Sequence, residues 1–185
     1  MGKSTTAKMF ADLGVPTWDA DAAVQRLYGP GGAGVIALSE IYPKATQTGR
    51  VDKEVLKSWI ATDPKALPQI EAVIHSLVAA DRAAFIKNSD APIVLLDIPL
   101  LFETGGESRV DTVVVVSAPA DVQRARVLER TGMTEAHFKT ILSKQYPDAK
   151  KRAHADYVIE TISLDAARGA VQECIADIRQ RLADA

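Results

Sequence analysis

Apolar positions in this chain fall into two kinds of run. Short stretches at residues 93–98, 110–117 and 156–160 are rich in β-branched side chains, and the first two have few polar interruptions. That is the pattern of strands covered on both faces. A weaker strand is expected at 15–18, where Pro16 removes a ladder donor. Longer segments show helical spacing: residues 55–60, then Ile70, Val73, Ile74, Leu77 and Val78, and finally Ala167, Val171, Cys174, Ile175, Ile178 and Leu182 on one stripe after a start near Ser163 and Asp165. Asp63-Pro64 reads as a helix start, with a capping carboxylate and a proline tolerated in the first turn. Residues 6–13 form a further helix, with Ala7, Phe10, Ala11 and Leu13 as packing positions and Gly14 as its stop. Short strands alternating with helices predict an α/β fold built on a parallel sheet. The breaker cluster Gly29-Pro30-Gly31-Gly32 sets off the helical stretch that follows, up to about residue 88.

Composition narrows this picture without redirecting it. With 185 residues, 47% hydrophobic and 25% charged, the chain has ordinary globular proportions, which exclude a disordered or fibrous protein. A net charge of −2 gives no global attraction for nucleic acid or an anionic membrane, so neither is expected as a partner. The single Cys174 excludes an internal disulfide framework and reads as a small core residue. No apolar run approaches the roughly 20 residues that span a bilayer, and no signal-peptide core is visible, so a cytoplasmic protein is expected. Charge is nevertheless uneven. Residues 119–152 carry eight Lys or Arg against four Asp or Glu, a basic segment in a slightly acidic chain.

The chemistry begins at the amino end. Gly2-Lys3-Ser4-Thr5 matches the close of the phosphate-binding pattern G-x-x-x-x-G-K-[ST]. Glycine lets backbone N–H groups approach phosphate oxygens, lysine bridges β- and γ-phosphates, and the following hydroxyl ligates Mg²⁺. A helix and a short strand then lead to Asp19 and Asp21. Phosphate loop, helix, strand and carboxylate is the order a phosphoryl-transfer enzyme needs, since an acidic group must orient or deprotonate the incoming hydroxyl.

The sequence resembles the dephospho-coenzyme A kinases over nearly its whole length. The resemblance rests on Gly2-Lys3-Ser4-Thr5, on the run from Ala11 to Pro16 leading into Asp19-Ala20-Asp21, on Asp97-Ile98-Pro99-Leu100-Leu101-Phe102-Glu103, and on the surroundings of Arg130, Gln145 and Asp156. It implies a single P-loop kinase-like domain, a three-layer sandwich around a five-stranded parallel sheet. Its core would cover about 1–28, 89–120 and 153–185, with a helical substrate-binding insertion over about 29–88 and a lid over about 121–152. It also implies transfer of the γ-phosphoryl group of ATP to the ribose 3′-hydroxyl of dephospho-coenzyme A, the last step of coenzyme A synthesis, with ATP and dephospho-coenzyme A as partners and Mg²⁺ as cofactor.

Carried over by position, Lys3 would stabilise phosphate charge, Ser4 would hold the metal, and Gly2 and Thr5 would add phosphate contacts. Asp21 would be the general base, and Asp19 would touch substrate or metal, or cap the next helix. Arg130 would stabilise transferred charge from the lid, while Arg124 and Arg126 are equally read as a solvated helix face. Lys151 would contact ATP where the family more usually has arginine, a less rigid donor at that position. His75, followed by Ser76 rather than the family's usual proline, would contact substrate, as would Pro99, Leu100 and Glu103 at a strand's carboxyl edge. His137 and His154 have no partners at metal-ligand spacing.

The chain departs from the pattern at its start, where the loop's first glycine and the strand before it are not present. The expectation drawn from this is that Met1 is an internal methionine of a longer chain. Two other functions fit the same residues, a kinase of another nucleoside or nucleotide and an inactive nucleotide-binding fragment. A monomer or weak homo-oligomer is expected.

Overall fold

The computed structural model describes residues 2–184; the expectation concerning Met1 lies outside them. Contacts divide the chain into two compact units, one comprising residues up to Thr17 with those from Asp97 onward, the other Trp18–Leu96. The helical stretch expected after Gly29 lies inside the second.

In the first unit, helix α1 (Lys3–Asp12) follows Gly2 and ends where Gly14 adopts a left-handed φ of 81°. It begins three residues earlier than its apolar spacing suggests, because the glycine turn itself starts the helix and Thr6 N–H already donates to Gly2 C=O at 2.9 Å. Strands β3 (Val114–Ser117) and β4 (Tyr157–Glu160) pair in parallel, Val114 opposite Tyr157 and Ser117 opposite Glu160. The expected strand over 110–117 is shortened for a specific reason. Val113 N–H is taken by the Asp156 carboxylate at 2.7 Å, and Val113 C=O by the Asp156 and Tyr157 N–H groups at 2.9 and 3.2 Å, so the ladder opens only at Val114. Between the strands lie α6 (Ala120–Leu128), α7 (Glu135–Ser143) and the single turn α8 (Asp148–Ala153). Helix α9 (Leu164–Ala183) starts at its cap Ser163, whose side chain accepts from Ala166 N–H, and buries Ala167, Val171, Cys174 and Ile175. Leu182, placed on the same stripe by its spacing, is 51% exposed because α9 runs past the surface it packs on.

The second unit is mostly helical: α2 (Ala20–Tyr28), α3 (Ala33–Ile41), α4 (Lys53–Thr62) and the long α5 (Ala66–Lys87). Its core joins Leu38, Leu56, Trp59, Ile70 and Ile74, with Tyr42 stacked on Trp59 at 4.2 Å between ring centroids. Helix α5 begins at Ala66, two residues after Pro64. Asp63 accepts from Lys65 N–H at 2.8 Å and from the Trp59 indole at 3.2 Å, so it closes the turn between α4 and α5 rather than capping α5. The remaining strands, β1 (Thr17–Asp19) and β2 (Leu95–Asp97), are hydrogen-bonded neighbours. Among the described residues the strands thus form two two-stranded sheets, where the resemblance implied a five-stranded one.

Candidate active site

At the start of α1, Gly2 has a φ of 88°, a left-handed conformation that favours glycine. A Cβ there would also come within 3.3 Å of the Thr161 side chain. Lys3, Ser4 and Thr5 follow, all exposed, in the first turn of a ten-residue helix whose leading N–H groups have no intrahelical acceptor. The result is a row of amide donors and a hydroxyl at the positive end of a helix, suited to an anion.

Lys3 does not reach into solvent alone. Its ammonium donates to the carboxylate of Asp97, whose side chain is 4% exposed at the end of β2. This pairing spans 94 residues, and spacing along the chain gives no sign of it. A carboxylate closing an apolar run is nevertheless the signal that flagged Asp19, and it applies equally to Asp97. Beside α1 lies a cavity of about 310 Å³ lined by Gly2, Thr5, Met9, Arg126, Ile162 and Leu164. Ile162 and Leu164 are 63% and 67% exposed, an apolar rim next to the helix's amide donors. Arg126, read equally as a solvated face, is instead half-buried and donates to the Thr161 hydroxyl at 3.0 Å and carbonyl at 2.7 Å. Arg124 forms a two-point pair with Glu135 across α6 and α7. Arg130 lies just beyond α6, exposed, and makes no ion pair among the described residues.

Glu103 and Lys151 form a third feature of this unit. Their side chains are each 13% exposed and meet at 2.9 Å, and the same Glu103 oxygen accepts Tyr146 N–H at 2.7 Å. Burial pushes the Glu103 carboxyl up, but these donors outweigh it and hold it below its ordinary value of 4.5. Lys151, expected at phosphate, and Glu103, expected at substrate, therefore hold each other here. Leu100, in the turn between β2 and Glu103, has a φ of 56° and is 46% exposed, so it is not a core residue. Left-handed backbone at a leucine is uncommon and concentrates at functional turns. Pro99 beside it is also exposed.

A carboxyl held low stabilises the fold while it is ionised. The contribution of Glu103 is thus complete above about pH 4.5 and is lost as pH falls through its lower folded value. Urea melts between about pH 6 and about pH 3 should show Glu103→Gln less stable than the parent at the upper end, with the gap closing on acidification. A gap independent of pH would mean that the charge of Glu103 contributes nothing.

In the second unit, Asp19 caps α2 by accepting Ala22 N–H at 2.8 Å, and Asp21 stands exposed in the first turn of that helix. Trp18, just before them, is 3% exposed. His75 is exposed on α5. The structure therefore brings Gly2, Lys3, Ser4 and Thr5 together with Asp97, pairs Glu103 with Lys151, and sets Asp19 and Asp21 on one helix start. Asp97, present in the sequence reading only as part of the run Asp97–Glu103 and given no role there, and Thr161, which that reading does not single out, are the additions the structure makes.

A family model for dephospho-CoA kinase matches residues 1–165. The chain belongs to the dephospho-CoA kinase family. Two similar relatives are dephospho-CoA kinases: one from Cereibacter sphaeroides, 56% identical over 97% of this chain and 91% of its own length, and one from Ruegeria pomeroyi, 52% identical over the same shares. Among solved structures, that of TT1252 from Thermus thermophilus has a TM-score of 0.80 at 30% identity, covering 95% of this chain and 91% of that one. A dephospho-CoA kinase from Campylobacter jejuni has a TM-score of 0.64 at 20% identity, covering 96% and 91%. The expected P-loop kinase α/β class and the resemblance both stand, and the chain is a transferase enzyme of coenzyme A biosynthesis. Among the described residues no helix is long and apolar enough to cross a membrane.

Proposed function

We propose that this chain performs its family's reaction through the residues at the start of α1, with Asp21 as general base: the γ-phosphoryl group of ATP passes to the ribose 3′-hydroxyl of dephospho-coenzyme A, giving coenzyme A and ADP. The observation that carries the reading is Gly2-Lys3-Ser4-Thr5 at a helix N-terminus, with a buried carboxylate, Asp97, against the lysine. Family membership favours dephospho-coenzyme A over a nucleoside as acceptor.

The amides of the first turn and Lys3 bind the β- and γ-phosphates, where Lys3 exchanges Asp97 for phosphate oxygens of higher charge. Gly2, Thr5 and the cavity beside them take the nucleotide, its base lying against Ile162 and Leu164. Asp21 accepts the proton of the acceptor hydroxyl as the new P–O bond forms and the bond to the β-phosphate oxygen breaks. Arg130, free of ion pairs among the described residues, supplies donors to the transferring group. Lys151 contacts ATP once released from Glu103. Asp19, His75, Pro99, Leu100 and Glu103 are the residues assigned to contact the acceptor. The ion is Mg²⁺, which takes few protein oxygens and keeps waters and phosphates as its other ligands; Ser4 hydroxyl and Asp97 carboxylate fit that donor set. When bound, it neutralises charge developing between the phosphates.

The domain reads as a kinase core over about 1–28, 89–120 and 153–185, a coenzyme-binding insertion over about 29–88 and a lid over about 121–152. It works in the cytoplasm as a monomer or weak homo-oligomer.

The test is a panel of acceptors, dephospho-coenzyme A, adenosine and AMP, each offered with Mg²⁺ and ATP, alongside thermal melts with nucleotide. Phosphate should appear on dephospho-coenzyme A alone. ATP at about a hundred times its dissociation constant should add about 2.7 kcal/mol of stability. Transfer to adenosine or AMP instead would move the chain to the nucleoside kinases, and an unshifted melt would leave the amino-terminal turn without its ligand.

A further inference from the structure

We propose that Asp81 is a positioning residue for Asp21, holding α2 in place by gripping it on both sides of that carboxylate. The inference rests on Asp21 being the general base. One oxygen of Asp81, on α5, accepts the Trp18 indole N–H at 2.7 Å and an Arg26 guanidinium N–H at 2.7 Å. Trp18 precedes the α2 cap, Arg26 lies in the last turn of α2, and Asp21 stands between them.

Apart from the Val51 N–H bond to Tyr28 C=O at 2.9 Å and the pairing of β1 with β2 just before the cap, the other contacts that seat α2 are weakly directional. The helix buries Ala23 and Leu27, and apolar packing of that kind tolerates small slides and rotations. Hydrogen bonds do not, since they weaken steeply away from their preferred distance and angle. Two of them converging on one atom, from donors eight residues apart in sequence, tie both the approach to α2 and its far end to the same point on α5. Trp18 is 3% exposed, so its bond is shielded from water, and the Asp81 side chain is only 26% exposed. Burial pushes the Asp81 carboxyl up, yet the Trp18 and Arg26 donors outweigh it and keep it below its ordinary 3.8, so it is anionic at neutral pH and can hold the cation. Asp21 itself is exposed, and its aim is therefore inherited from the placement of the helix that carries it. A shift of about 1 Å at a reacting group can cost about a hundredfold in rate.

The test compares Asp81→Leu, which removes both bonds, with Asp81→Asn, which keeps an acceptor for Trp18 but loses the charge for Arg26, and with Trp18→Phe, which removes one donor alone. Steady-state kinetics with each substrate varied should show kcat lowered about tenfold in Asp81→Leu and by smaller factors in the other two, with the KM for ATP unchanged. Placed in an Asp21→Asn background, Asp81→Leu should lower kcat no further, because the group it positions is already disabled. A full additional loss in that background, or kcat per folded molecule unchanged in all three variants while only Tm falls, overturns the inference and leaves Asp81 as a scaffold residue. Should Asp81→Leu not fold, the milder Asp81→Asn and Trp18→Phe carry the same comparison. Full activity of Asp21→Asn removes the general-base reading and this inference with it. That outcome is distinct from an impaired Asp21→Asn beside a fully active Asp81→Leu, which removes the inference alone.

Discussion

Replacing Asp21 with asparagine is expected to lower kcat by about a hundredfold or more while leaving ATP binding almost unchanged, the range over which a general base contributes. The asymmetry follows from what Asp21 touches. It is exposed in the first turn of α2 and caps nothing, that task falling to Asp19, so the substitution removes no structural bond. Asparagine keeps the volume and an acceptor oxygen but does not take up a proton at neutral pH. Isothermal calorimetry with ATP and steady-state rates with dephospho-coenzyme A separate the two effects. Turnover equal to that of the parent would take Asp21 out of the base role. Asp19→Asn should be milder in rate, because asparagine caps helices about as well as aspartate.

Lys3→Ala is the second large effect, and it should act on two quantities at once. ATP affinity falls because the ammonium facing the phosphates is gone. Stability falls as well, by about 2 kcal/mol, because Asp97, with its side chain 4% exposed, is left charged and without its cation. The figure is placed below the about 3–5 kcal/mol for breaking a fully buried pair, since Lys3 itself is 46% exposed. Adding Asp97→Asn to Lys3→Ala should restore most of the stability by removing the stranded charge, but none of the ATP affinity. Urea melts and calorimetry on the two variants read this directly. If the double variant is no more stable than Lys3→Ala, the pair contributes nothing to the fold beyond the lysine's own packing.

These two residues also show which kind of signal a sequence carries. Lys3 and Asp21 were visible because each belongs to a local pattern: a glycine before a helix start in one case, a carboxylate after a short strand in the other. The α/β class was visible for the same reason, since the period of apolar positions is a local property. Asp97 closes an apolar run as Asp19 does, but its partner lies 94 residues away, and the pairing of Glu103 with Lys151 or of Arg126 with Thr161 is likewise tertiary. Strand ends were overestimated at Val113 because an aspartate carboxylate competes with the ladder for its N–H, which no apolar count registers. The start of α5 was misplaced because Asp63 found an indole and a turn amide instead of the helix.

The one thiol of the chain has a practical consequence. Cys174 is 3% exposed on the inner face of α9, and burial first, then the nearby Asp177, pushes it up to about 11. Thiol reagents attack the thiolate, so at neutral pH this sulfur is doubly protected, by protonation and by lack of access. Toward maleimides the native enzyme behaves as a cysteine-free background. A cysteine introduced at an exposed position of α2 or of the basic segment would accept a fluorophore there alone, without first engineering anything away.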